Sequence, residues 1–150
     1  MNKNEVIAIL DGLIETCQRG REVFRNAAEN IQNSEFRRLF NIFSQQRVQF
    51  ITELKSEVNR LGGESGVDTE EQAPPELPVN TVPFRSSTAG KSGSETVTIA
   101  ECQREEEAAV NDYQEALKAD LPLDVQYVVK RQYMDIKDAY DRIRILQRAA

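Results

Sequence analysis

The side chains best able to do chemistry in this sequence are carboxylates: Glu22, Glu53, Glu105, Glu106 and Asp135. Gathered together, they would make a hard, oxygen-only metal site suited to Mg or Mn. Two features argue against that reading. The 150 residues include no histidine, so the imidazoles that tune an iron pair are missing. Arginines also stand where ligands would be wanted, because Arg21 and Arg47 interrupt apolar runs, and a permanent guanidinium repels a divalent ion.

The elements that must position these residues read as four amphipathic helices, at about 3–31, 34–62, 96–119 and 122–148. The first carries Ile7, Leu10, Ile14, Cys17, Phe24, Ala28 and Ile31 in steps of three and four. The second carries Phe36, Phe40, Phe43, Phe50, Leu54, Val58 and Leu61, with Asn33 or Ser34 as its cap and Gly62-Gly63 as its stop. Ile99, Cys102, Ala109, Val110, Tyr113 and Leu117 mark the third. Thr98 with Glu101 reads as a capping box at its start. The fourth shows Val125, Val129, Ile136, Tyr140, Ile143 and Leu146, with Pro122 in its first turn.

Between the second and third helices, residues 63–95 hold four of the five prolines and many glycines and serines. The stretch reads as a loop, with Leu77, Val79, Val82 and Phe84 able to line the bundle wall. It is too long for a turn between neighbouring helices. Two short-turn hairpins joined by one long connection give an all-α fold of one domain, residues 1–150: a ferritin-like four-helix bundle with a long crossover loop.

Each apolar seam breaks near its middle: at Arg21 in the first helix, Arg47 in the second, Glu106 in the third and Gln132 in the fourth. Bundles of this topology build two-metal sites in that layer, from single glutamates and E-x-x-H pairs. Here the second helix offers "QQRVQ", and the fourth offers Lys137-Asp138-Ala139-Tyr140 at the equivalent spacing. The expected layer is therefore ionic: Arg21 and Arg47 neutralise Glu106, with Glu22, Glu53 or Glu105 as further partners and Gln132 and Tyr140 completing it. Arginine's planar fork suits paired carboxylate contacts. The plainer alternative places the arginine heads in solvent and only their stems in the core.

Several other features are decoys. "AGKSGSE" at 89–95 looks like a phosphate loop, but Arg85 occupies the position of the first glycine and no strand precedes it. "REEEAAVND" at 104–112 reads mainly as solvated surface, since Glu105, Glu106 and Glu107 cannot share one helix face. Cys17 and Cys102 lie one turn N-terminal of the polar layer on antiparallel helices. They should be about 12 Å apart, beyond disulfide reach, and act as free buried thiols. The tyrosines read as packing residues, with the hydroxyl of Tyr133 or Tyr140 available to the polar layer.

A net charge of −6 argues against nucleic acid, which needs clustered Lys and Arg. No run of about 20 apolar residues exists to span a bilayer, and no basic amphipathic face suits a membrane surface. Two cysteines and a start, "MNKNEVIAILDG", without secretory character point to a cytoplasmic location.

"VIAILDGLIETCQRGREVFRNAAENI", "QQRVQFITELKSEVNRLGG", "AECQREEEAAVNDYQEALKADLP" and "VKRQYMDIKDAYDRIRIL" resemble a bacterial family of ferritin-like four-helix-bundle proteins of unknown function. The resemblance covers the four helices and not most of residues 64–95, where members usually carry a short amphipathic segment. Members commonly have a histidine at the place of Tyr140. The resemblance implies the fold and a link to stress response, and no established activity.

The leading expectation is a non-enzymatic structural or interaction protein with no cofactor and an ion-pair layer in place of a dimetal site. Val6, Leu13, Ile42 and Ile51 widen the apolar stripe and would pair two bundles into a homodimer or, on the simpler view, merely complete the core; an unknown protein partner is also expected. The rival is a metal-dependent redox or storage protein with a histidine-free carboxylate site.

Overall fold

In the computed structural model Asn2 starts the first helix, accepting from the backbone of Glu5 while the Glu5 side chain accepts from the backbone of Asn2. This reciprocal capping satisfies two of the N–H groups that every helix leaves open. The structure describes residues 1–63 and 92–149. Within them lie α1 (Lys3–Asn30), α2 (Ser34–Arg60), α3 (Ser92–Leu117) and α4 (Leu123–Ala149), with no strand among the described residues.

Asn33 caps α2 through the backbone N–H groups of Glu35 and Phe36. Gly62 ends α2 at φ 86°. Its N–H bonds to the Asn59 carbonyl, and that of Gly63 reaches the Val58 carbonyl. This paired closure requires a left-handed residue, which glycine supplies without strain.

α3 begins at Ser92, four residues before the sequence places it, and Thr98 lies inside the helix. A capping box marks where a helix can start; here Glu95 decides the matter. Its carboxylate accepts from the backbones of Gln32 at 2.7 Å and Asn33 at 3.3 Å, tying the first turns of α3 to the α1–α2 corner. α4 begins just after Pro122, whose carbonyl accepts from Gln126. The loop residues Leu77, Val79, Val82 and Phe84, and residues 89–91 of the 89–95 stretch, lie outside the described residues.

α1 packs along α2 and α3 along α4, while α1 also lies against α3 and α2 approaches α4 more sparingly. Glu95 touches the corner after α1, and Arg60 at the end of α2 lies 3.9 Å from Asp124 at the start of α4. Gly63 and Ser92 therefore sit at opposite ends of a bundle about 40 Å long. All neighbouring helices run antiparallel, as a crossover bundle requires.

The core divides into two apolar compartments. One gathers Leu10, Ile14, Cys17, Leu54, Val58, Tyr113 and Val129; the other gathers Phe24, Ile31, Phe40, Phe43, Ile99, Cys102 and Ile143. The two free thiols thus lie in different compartments, both buried. Val6, Leu13 and Ile51 are buried in the first, so of the four residues expected to pair bundles only Ile42 remains on the surface. The apolar stripe is wide enough here to put a and e or g positions into one core.

Candidate functional site

The polar layer lies between the two compartments, where Arg47 and Glu106 are 1% and 0% exposed. Arg47 Nη1 donates to Glu106 Oε1 at 2.8 Å, and Nη2 donates to Oε2, a two-pronged pair between α2 and α3. The guanidinium carbon also lies 5.1 Å from the Phe24 ring centre and 5.9 Å from that of Phe50. The cation is thus held by a two-pronged carboxylate and by two aromatic rings, an arrangement that favours Arg over Lys.

Gly20 provides the room. A Cβ there would stand 3.0 Å from Arg47 Nη1, so α1 accepts a residue of poor helix propensity to let the guanidinium pass. Burial opposes the Arg47 charge, but Glu106 more than offsets this and raises its pKa further. Burial pushes the Glu106 carboxyl up, and Arg47 pulls against that shift through its charge and hydrogen bonds.

Beside the pair runs a second chain of polar groups. Cys17 Sγ lies 3.2 Å from the Tyr113 hydroxyl, which donates to Gln132 Oε1 at 2.6 Å. Gln132 Nε2 donates to Glu53 Oε1 at 2.8 Å and to the Phe50 carbonyl at 3.3 Å. Arg131 donates to the same Glu53 oxygen at 3.0 Å. The chain leads from the core to the protein surface. Burial acts to raise the Glu53 carboxyl, but hydrogen bonds from Gln132, Gln49 and Arg131 outweigh it and lower its pKa. Burial pushes the Cys17 thiol up to about 11 and the Tyr113 hydroxyl well above its usual range.

Of the residues expected in the layer, Arg47, Glu106 and Gln132 occupy it. Arg21 does not: its head is part-exposed and lies 3.5 Å from Glu22 at the periphery. The gap between Cys17 and Phe24 admits either Gly20 or Arg21 at helical spacing, and Arg47 needs the glycine. Tyr140 also stays outside, with Arg144 over its ring. The tyrosine hydroxyl that joins the layer is that of Tyr113; Tyr133 instead accepts from Gln114 near the surface. Gly20 and Tyr113 are the residues missed, and a mid-helix glycine at seam spacing between Cys17 and Phe24 was the available signal.

The carboxylates proposed as ligands are dispersed among other partners. Glu22 pairs with Arg25 at 2.6 Å, Glu53 with Arg131 and Gln132, Glu105 with Arg19 at 3.6 Å and Glu106 with Arg47; Asp135 is exposed. No three His, Cys, Asp or Glu side chains among the described residues come together as a ligand set. Both oxygens of the central carboxylate are occupied by a guanidinium, so these residues do not fit a dimetal centre.

A family model described as a domain of unknown function (DUF2383) matches residues 5–119. A solved two-domain protein from Anabaena variabilis, containing DJ-1/ThiJ/PfpI-like and ferritin-like domains, matches with a TM-score of 0.76 at 15% identity. The match covers 99% of this chain and 37% of that one, so this chain spans little more than a third of its length. At such identity the likeness is one of fold, and the fold is ferritin-like. No curated protein matches the chain, and no helix among the described residues is long and apolar enough to cross a membrane.

Proposed function

Given that this chain belongs to the DUF2383 family, a domain of unknown function, and has a ferritin-like fold, we propose that it is a non-enzymatic structural or stress-associated interaction protein. The observation that carries this reading is the buried Arg47–Glu106 pair at the centre of the bundle. A permanent cation there consumes the one central carboxylate and disfavours any divalent ion beside it. The Cys17–Tyr113–Gln132–Glu53 chain is read in the same way, as a satisfied buried network that fixes helix register. Its thiol is held protonated by burial, which removes the nucleophilic form. A cytoplasmic location and association through protein surfaces, including pairing of two copies, belong to this reading.

Aerobic oxidation of added Fe(II) tests it. The expected rate in the presence of the protein equals that of protein-free buffer. Turnover above that background, abolished by Glu106→Ala, would establish the rival reading of a histidine-free carboxylate oxidase.

A further inference from the structure

The two halves of the bundle meet in a way that the backbone does not dictate. Short corners, residues 31–33 and 118–122, make hairpins of α1–α2 and of α3–α4. Residues 64–91 join one hairpin to the other, and that length of chain reaches about 90 Å when extended, about twice the length of the bundle. Such a connection allows the hairpins to meet in either direction, or to pair with hairpins of another copy, at little difference in closure entropy. The choice must come from the faces themselves.

The inner face of each hairpin is apolar except near its middle. α1–α2 presents Arg47 there and α3–α4 presents Glu106, 1% and 0% exposed, on helices that stand diagonally across the bundle. Their two-pronged bond therefore runs from one hairpin to the other. Two α1–α2 hairpins set face to face would bury two guanidiniums together, and two α3–α4 hairpins would bury two carboxylates, each without a counter-charge. Apolar packing alone does not forbid those pairings, because it is not directional.

Three further contacts cross between the hairpins, and all lie on one side of the pair, toward the end of the bundle that holds Gly63. Cys17 meets the Tyr113 hydroxyl at 3.2 Å, and Gln132 donates to Glu53 at 2.8 Å and to the Phe50 carbonyl at 3.3 Å. On the other side stand Phe24, Phe40 and Phe43, three rings packed on one another. An α3–α4 hairpin turned end for end would keep Arg47 and Glu106 at one height, yet strand Tyr113 and Gln132 among those rings.

We propose that the Arg47–Glu106 pair selects which hairpins pair, and that the Cys17–Tyr113 and Gln132–Glu53 contacts select their direction. Without this layer like hairpins from different copies would join, and a chain with two such faces would grow into open-ended assemblies. The inference rests on the reading of the layer as structural, yet its test is separate, since metal retention and hairpin pairing are read by different measurements.

Refolding the full chain from urea over a range of concentrations, followed by light scattering, tests it. The parent should return to a single species. Arg47→Met with Glu106→Leu should keep its far-UV spectrum, yet return to a mixture whose mean mass climbs past twice the chain mass of 17.0 kDa as the refolding concentration rises. Ile143→Val, which removes a buried methylene three turns from Gln132, should be less stable and still return to the parent's single species. A double variant that refolds to the parent's mass at every concentration overturns the proposal. So does one that loses its helical spectrum, which would assign the pair to stability alone, or an Ile143→Val chain that yields the same mixture.

Discussion

Replacing Glu106 with leucine removes the carboxylate that Arg47 pairs with and leaves a guanidinium 1% exposed. The loss comprises two charge-assisted hydrogen bonds, each worth about 1.5–3 kcal/mol. The contacts with Phe24 and Phe50 are present in both proteins and leave that difference unchanged. The expected cost is about 3–5 kcal/mol, typical of stranding one partner of a buried pair. For a chain of this length that corresponds to a fall in melting temperature of about 10 °C or more. Arg47→Met alone should cost a similar amount, while Arg47→Met with Glu106→Leu should come close to the parent protein, because the desolvation of both charges disappears together. Urea titrations followed by circular dichroism give all four corners of the cycle. A cost below about 1 kcal/mol for either single variant, the value of a solvated surface pair, would refute the buried-pair reasoning.

Three further outcomes follow from the geometry around that pair. Gly20→Ala should destabilise by about 1–2 kcal/mol through crowding of Arg47, although alanine is the better helix former by about 1 kcal/mol; a rise in the urea midpoint would show that Arg47 moves aside freely. Tyr113→Phe should cost about 1–3 kcal/mol, since Gln132 Oε1 and Cys17 both lose their buried partner. On the alkaline side, the folded-state pKa of Cys17 lies above its ordinary 9.0, at about 11. The folded protein therefore holds this proton more tightly, and the stability it contributes is full below pH 9 and lost as pH climbs toward 11, on the order of a few kcal/mol in all. Cys17→Ser should flatten that part of the stability–pH profile; an identical slope in both proteins would place the loss elsewhere.

Much of this architecture is written in the periodicity of the sequence, because a helix that buries one face must repeat its apolar residues every three or four positions. The interruption of three seams by Arg47, Glu106 and Gln132 at one height is legible for the same reason. What periodicity leaves open is which of two adjacent residues faces inward. Gly20 and Arg21 are both compatible with the α1 seam, and only the bulk of Arg47 arriving from α2 selects the glycine. Tyr113 reads as packing because its ring is apolar; its hydroxyl acquires a role only when α1 and α4 bring Cys17 and Gln132 to it. The start of α3 escapes local reading because Glu95 is fixed by the backbone of a corner more than sixty positions away. Residues that flank a seam can serve either the surface or the core at helical spacing, and packing of the bundle places Val6, Leu13 and Ile51 in the core.

Elemental analysis of protein purified without chelators, repeated after incubation with Fe(II) and Mn(II) in air, tests the central claim most directly. With the Arg47–Glu106 pair filling the centre of the bundle, neither metal should be retained at a stoichiometric level. One equivalent or more of iron or manganese per chain, lost on substitution of Glu106, would contradict the account and return Glu22, Glu53, Glu105 and Asp135 to consideration as ligands.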